Sequence, residues 1–355
     1  MASLDIRRFS LSPYFRGRKH DRRFERRSKS SALTWRRQCN WRVLRYTTSA
    51  ESMNTITTLD DNWTGRARSI ATALVESDGH RAIVDPGPGS TLDTLRKELG
   101  AHGVSVSDLD AILLTHIHLD HAGATGALVR ENPRLAVYVH RRGAPHMIDP
   151  SKLLASAARL WPDNLQQLFG EAQPVPAENL RILDGGEMLT LGSRKIEVAY
   201  TPGHASHHVS YFENMERVAF VGDTAGIRIE GHSYVMPATP PPDIDLEIWD
   251  SSFAAVLERK PKRLFLTHFG FSENPSEHIT QFRERLHRWM ETTENILQTA
   301  KNDAEAMESF MTTMLREIRE HVGANESEHY ALTAGLNLSF LGLARHARKR
   351  AQAAS

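Results

Sequence analysis

Thr115-His116-Ile117-His118-Leu119-Asp120-His121-Ala122-Gly123 places three histidines and a carboxylate within six residues. The run follows Asp110-Ala111-Ile112-Leu113-Leu114, an apolar stretch that reads as a strand buried on both faces. If the chain stays extended past the strand end, His116, His118 and Asp120 share one side by the period of two, and the turn into the next helix brings in His121. Imidazole nitrogen and carboxylate oxygen suit zinc, or iron and manganese at a related geometry, and need no cysteine. A polar loop of solvated histidines is the bland alternative, and so dense a cluster at a strand end weighs against it.

Upstream, Ser69-Ile70-Ala71-Thr72-Ala73-Leu74-Val75 and Arg81-Ala82-Ile83-Val84 read as strands joined by a hairpin turn at Asp78-Gly79. Asp85-Pro86-Gly87-Pro88-Gly89 breaks the chain before a helix over 92–99, with Ser90 or Thr91 as N-cap and Gly100 as its stop.

The histidine run resembles the HxHxDH loop of the metallo-β-lactamase superfamily. That resemblance implies three further ligands at strand ends, and the chain has a residue for each. Glu197-Val198-Ala199-Tyr200 runs into Thr201-Pro202-Gly203-His204, Val218-Ala219-Phe220-Val221 into Gly222-Asp223-Thr224, and Arg263-Leu264-Phe265-Leu266 into Thr267-His268-Phe269-Gly270. The match runs in order from about residue 69 to 271 and implies an α/β fold, a four-layer αββα sandwich with the site at one edge of its two sheets. By the family's pattern His116, His118 and His204 hold one metal, Asp120, His121 and His268 the second, and Asp223 bridges them. Two divalent ions, Zn2+ in the first instance with Fe or Mn compatible, would then supply a hydroxide nucleophile at neutral pH. Asp120 carries the catalytic proton-handling role as well. Asp85 would support the metal loop from behind. His208 would either hold a ligand carboxylate or be a partly exposed strand histidine. Thr115 and Thr224 could anchor ligands, although short polar residues beside loops are ordinary turn chemistry. His140, His146, His207 and His232 fall outside the ligand set and read as surface or hydrogen-bonded histidines.

Composition bounds the rest. A chain of 355 residues, 40% hydrophobic and 25% charged, has the make-up of a globular protein of about two domains. It has no apolar run long enough to span a bilayer. The single cysteine, Cys39, excludes an internal disulfide and cysteine-rich metal sites, and makes a cytoplasmic location the default. The formal net charge of +1 hides an asymmetry. Residues 1–50 hold 14 Lys+Arg against Asp5, Asp21 and Glu25, a net of +11, which leaves −10 for the remainder. The reading is therefore a disordered basic extension over 1–52, a metallo-β-lactamase domain over 53–271 and a helical region over 272–355. For the extension we prefer an upstream start codon, with the protein proper starting at Met53, over an organellar presequence or a nucleic-acid- or membrane-binding arm.

Between the metal loop and the second half of the sandwich, 141–176 reads as helical inserts, expected to pack on the sheet or wall the cleft. A Pro-rich loop containing Tyr234-Val235-Met236-Pro237 and Pro240-Pro241-Pro242-Asp243 is placed to rim the site. Beyond Gly270, Ile279, Phe282, Leu286, Trp289 and Met290, then Met307 to Ile318, fall at helical spacing before a stop at Gly323, and a third helix covers 332–343 with a basic end. These helices either cover the cleft or pack on a second subunit, so a homodimer is among the expected assemblies.

The resemblance leaves three reactions. A binuclear hydrolase of a small ester, thioester or lactone is preferred because both second-site and bridging ligands are intact. A mononuclear iron persulfide dioxygenase shares nearly the same motif. An RNA phosphodiesterase is disfavoured, since a body at −10 repels a polyanion. The expected partner is thus a small molecule, with neither nucleic acid nor membrane.

Overall fold

The structure is a computed structural model and describes residues 54–229 and 231–354. The basic extension read at 1–52 lies outside them. The chain runs β1 (Ile56–Asp60), β2 (Ala71–Ser77), β3 (His80–Val84), α1 (Leu92–Ala101), β4 (Ala111–Leu113), α2 (Leu119–Ala122), α3 (Thr125–Glu131) and β5 (Ala136–His140). It continues through α4 (Ala144–Ile148), α5 (Ser151–Leu160), α6 (Leu165–Phe169), β6 (Leu180–Leu183), β7 (Met188–Leu191), β8 (Arg194–Tyr200), β9 (Val209–Glu213) and β10 (Val218–Phe220). The remainder is α7 (Leu246–Glu258), β11 (Arg263–Leu266), β12 (Gly270–Ser272), α8 (Pro275–Thr299), α9 (Asp303–Ala334) and α10 (Leu336–Ala354).

Two six-stranded sheets form, ordered β1-β2-β3-β4-β5-β6 and β12-β11-β10-β9-β8-β7. The alternation of side chains explains why the strands read as apolar on both faces. Ala73, Val75, Ala82, Val84, Ala111 and Leu113 point inward, against Val198, Tyr211, Val218, Phe220 and Phe265 of the other sheet. Their neighbours Leu74, Ile83 and Ile112 point outward, under a cluster shared with Leu95, Leu99 and Leu128 of the helices. On the far side Ala219, Leu264 and Leu266 lie under Trp249, Phe253, Phe282, Trp289 and Phe310. The result is the αββα sandwich with a helical C-terminal extension. No helix of the described residues is long and apolar enough to cross a membrane.

Strands β3 to β6 are parallel neighbours, so each crossover returns the chain to the same edge. There the sheets are tied to each other: Val209 N–H donates to the Thr115 carbonyl at 2.8 Å and Ala71 N–H to that of Thr267 at 2.8 Å. The Asp78-Gly79 hairpin turn forms with both residues at positive φ, 51° and 82°, the mirror-image turn that suits strand twist. Several boundaries differ from the sequence reading, among them the end of α1, which runs through Gly100 to Ala101. Strands β1, β5, β6, β7 and β12 have no counterpart in that reading. Gly323 (φ 82°, ψ 173°) breaks the helical backbone within α9 where the sequence reading puts a stop, whereas Gly335 (φ 62°) makes the last break, so the third helix begins at Leu336 instead of 332.

Candidate metal centre

The seven residues expected as ligands come together at the edge where β4, β8, β10 and β11 end, in overlapping groups of His116, His118 and His204, of His116, His121 and Asp223, and of Asp120, His121 and His268. In the first group His118 Nδ1 lies 2.9 Å from His116 Nε2 and 3.0 Å from His204 Nε2. Their outer nitrogens fix the tautomers. His204 Nδ1–H donates to the Ala238 carbonyl at 2.9 Å. The Thr115 hydroxyl donates its only proton to Asp85 Oδ2 at 2.7 Å, so at 3.1 Å it accepts from His116 Nδ1–H. Both Nε2 atoms are therefore bare, and His118 Nδ1 carries at most one proton for two lone pairs. Converging lone pairs of this kind are a cation site.

The group of Asp120, His121 and His268 is built the same way. His121 Nδ1–H donates to Asp85 Oδ2 at 2.8 Å, and His268 Nδ1–H to the Ser69 carbonyl at 2.8 Å. His121 Nε2 faces Asp223 Oδ1 at 3.2 Å and Asp120 Oδ2 at 3.8 Å, and His268 Nε2 faces the same two oxygens at 3.6 and 3.4 Å. Asp223 Oδ2 turns the other way, 3.4 Å from His204 Nε2. One carboxylate thus serves both groups. His121 Nε2 and Asp223 Oδ1 are buried and, among the described residues, make no well-formed hydrogen bond, an arrangement that costs free energy unless a proton shared between them or a cation satisfies them. Donor identity, convergence and orphaned atoms together fit divalent ions.

Asp85, at the end of β3, holds this assembly from behind. Its buried carboxylate accepts from Thr115 N–H at 2.8 Å, from the Thr115 and Thr267 hydroxyls and from His121 Nδ1–H. It thereby locks the ends of β4 and β11 to one point.

Electrostatics separates the two groups. Burial, reinforced by neighbouring histidines, depresses His116 and takes His118 down to about 4. Burial lowers His204 too, against the pull of Asp223. That corner is a neutral nitrogen cage. Burial opposes protonation of His121 as well, but Asp223, Asp120 and Asp85 together hold it well above its ordinary value. Burial works against ionised Asp120, yet His121 and His268 bring it down to about 2. Its side chain is 22% exposed, more open toward solvent than those of His121, His268 and Asp223.

The remaining histidines sort differently from their reading. His208 is fully buried and faces no carboxylate; its Nδ1 lies 3.1 Å from both the Thr201 and Thr224 hydroxyls, and its ring stacks on His116. Thr224 also donates to the Thr201 carbonyl at 3.1 Å, so it ties the Asp223 turn to the His204 turn. His207, which the sequence reading sets aside, lies flat over His116 with centroids 6.0 Å apart and edge-on to His118, its buried Nδ1 without a hydrogen-bond partner among the described residues. The doublet after His204 is the one local signal for it. His140 stacks on Tyr200 and His232 meets Tyr330 edge-on. The inserts over 141–176 form α4, α5 and α6, and pack Ala157 and Phe169 with Trp63, Ile70 and Leu119, while Arg142 at their start lines a cavity.

Beside the His204 turn is a cavity of about 520 Å3 whose lining includes Tyr200, Gly203, Ser206, Arg142, Arg345 and Lys349. Asp243 and Asp245 reach it too, but Asp243 accepts from the Ser206 hydroxyl and Asp245 caps α7.

The family model of the metallo-beta-lactamase superfamily matches residues 65–268. The chain is similar to the metallo-beta-lactamase fold-containing protein ST1585 of Sulfurisphaera tokodaii, 31% identical over 178 residues, which are 49% of this chain and 66% of that protein. It is similar to a hydroxyacylglutathione hydrolase of Aliivibrio salmonicida, 24% identical over 270 residues, 71% of this chain and 86% of that one. The metallo-beta-lactamase family protein TTHA1429 from Thermus thermophilus shares the fold, with a TM-score of 0.63 at 18% identity over 84% of this chain and 93% of that one. Several relatives are matched over less than two thirds of their own length.

Proposed function

This chain belongs to the metallo-beta-lactamase superfamily, and from that footing we propose that it is a binuclear metallo-hydrolase of small ester, thioester or lactone substrates. The observation that carries the reading is the sharing of Asp223 between two complete donor groups. His116, His118 and His204 would hold one ion, Asp120, His121 and His268 the other, with Asp223 between. Divalent ions held there, zinc in the first instance, supply a water nucleophile of lowered pKa and polarise the substrate oxygen. Asp120 is ionised and partly open, so it can accept the nucleophile's proton and pass it to the leaving group.

The cavity beside the His204 turn has a volume within the range of small-molecule sites. Arg142, Arg345 and Lys349 face it without a carboxylate partner among the described residues. That favours a substrate with an acidic group remote from the scissile bond, and the similarity to a hydroxyacylglutathione hydrolase favours a thioester.

Elemental analysis of purified protein, followed by a panel of thioesters, lactones and esters with acidic and neutral leaving groups, tests the reading. About two divalent ions per chain and turnover biased toward acidic thioesters are expected. One iron per chain, with oxygen uptake on persulfides and no hydrolysis, would replace it with the oxidative alternative.

A further inference from the structure

Each donor group contains a histidine whose outer nitrogen is held by a backbone carbonyl from outside the motifs. For His268 it is Ser69, 199 positions away, and for His204 it is Ala238, 34 positions on. Such partners fix the ring plane and the tautomer, and so decide whether Nε2 presents its lone pair to an ion. What holds the two carbonyls therefore matters, and in both cases it is the C-terminal helices.

Ser69 is buried, and its hydroxyl donates to the Arg66 carbonyl at 3.1 Å. Its oxygen accepts from Nε2–H of His329 on α9 at 2.9 Å, while Glu326 lies 3.5 Å from His329 Nδ1. The set has the composition of a Ser-His-Glu nucleophile triad, but Ser69 is 2% exposed and its proton is committed to a carbonyl, so no substrate reaches it. The arrangement instead anchors the backbone of Ser69 to a helix 260 residues further along.

Ala238 is anchored through its neighbour. The Thr239 hydroxyl donates to the Ser339 carbonyl of α10 at 3.3 Å. One turn on, Gly342 lies so close that a β-carbon there would overlap the Thr239 carbonyl oxygen. The same loop is tied upstream by α8 and α9. Arg285 donates to the Val235 carbonyl at 2.6 Å, and the Tyr330 hydroxyl donates to the Tyr234 carbonyl at 2.7 Å while accepting from Ile229 N–H at 3.0 Å.

We propose that α9 and α10 orient the metal centre, His268 through the His329–Ser69 contact and His204 through the Gly342–Thr239 contact, so that His329 and Gly342 are positioning residues. This rests on the reading of His204 and His268 as metal ligands. The helical extension is then part of the ion cage's support, in addition to covering a sheet face.

Stepwise affinities for Zn2+, measured by competition with a chromogenic chelator on the full chain, test it. H268A and H204A identify the step to which each histidine contributes. H329A is expected to weaken the His268 step about tenfold, and H329Q, whose amide can still donate to Ser69, to recover most of it. G342A is expected to weaken the His204 step by a similar factor. In the H268A background, H329A should have no further effect. M314A opens the packed face of α9 without touching either carbonyl; it should lower thermal stability and keep both affinities. Wild-type affinities in H329A and G342A would overturn the proposal while leaving the metal reading intact. So would equal metal loss in M314A, which would mean general loosening. A wild-type protein that takes up no Zn2+ would overturn both.

Discussion

Replacing Asp85 by asparagine keeps the shape of the side chain and removes one charge, and its consequences can be worked from the bonds around it. The carboxylate accepts from four donors. An amide can still accept Thr115 N–H on its oxygen, but its nitrogen then faces the Thr115 and Thr267 hydroxyls and His121 Nδ1. The hydroxyls can rotate and accept. His121 can relieve the clash only by giving up its Nδ1 proton, which leaves its remaining proton on Nε2, donating to Asp223 Oδ1 3.2 Å away. The Thr115 proton, displaced from Asp85, turns toward His116 Nδ1 and forces the same switch there. Both switches cover lone pairs that would otherwise face an ion. Divalent-ion affinity should fall about tenfold to hundredfold, or about 1.4 to 2.7 kcal/mol. The metal-free protein should lose no more than the worth of one charge-assisted hydrogen bond, about 1.5 to 3 kcal/mol. Chelator competition measures the first quantity and urea unfolding with chelator present the second. Affinity within threefold of wild type would refute the tautomer argument.

Two further outcomes follow from groups away from the centre. His278 is buried, donating through Nε2–H to the Ala225 carbonyl and facing the Ser272 hydroxyl with Nδ1, and burial lowers it to about 4. Between pH 6.5 and 4 the unfolded chain therefore binds a proton that the folded chain refuses, so stability is full above 6.5 and falls with pH by about 3 kcal/mol across that window; urea unfolding of H278Q beside wild type should show a shallower acid slope, and parallel slopes would count against it. Arg194 is fully buried between Glu213 at 2.7 Å and Glu216 at 2.9 Å, and also donates to the Glu76 carbonyl across the sheets. R194A strands Glu213 and should cost about 3 to 5 kcal/mol in denaturant unfolding, whereas a loss below 1 kcal/mol would mean that water reaches the cluster.

What the sequence made legible was whatever is encoded locally. The histidine run over 116–121 stands out by its own density at a strand end, while His204, Asp223 and His268 were legible only through the resemblance to the family's pattern; the structure brings all seven together. The sheets' shared core was readable in the apolar runs, since residues such as Ala111 and Leu113 face one layer and Ile112 the other. Strand β1 escaped because Ile56-Thr57-Thr58-Leu59-Asp60 is short and polar, and owes its conformation to pairing with β2. The stop read at Gly323 is met by a non-helical residue there, and what the sequence reading lacks is the further helical segment that follows it, held by the packing of Tyr330 and Ala334 into the helical core. His207 was misjudged for want of a third dimension, as its ring contacts belong to residues some 90 positions earlier. The His329–Ser69 contact has no pattern at all in one dimension.

The tethers of the donor histidines also bear on how the protein acquires its ions. Asp85, Thr115, Ser69 and Ala238 hold four of the five imidazoles by bonds that do not pass through a metal. Small zinc domains collapse when stripped, because their ligands have nothing else to hold them. Here loading is the filling of a rigid receptacle, so ions should exchange without unfolding. Which ion a molecule carries would then record the metal supply it met in the cell, as the affinity order of such nitrogen and oxygen donors allows several to compete.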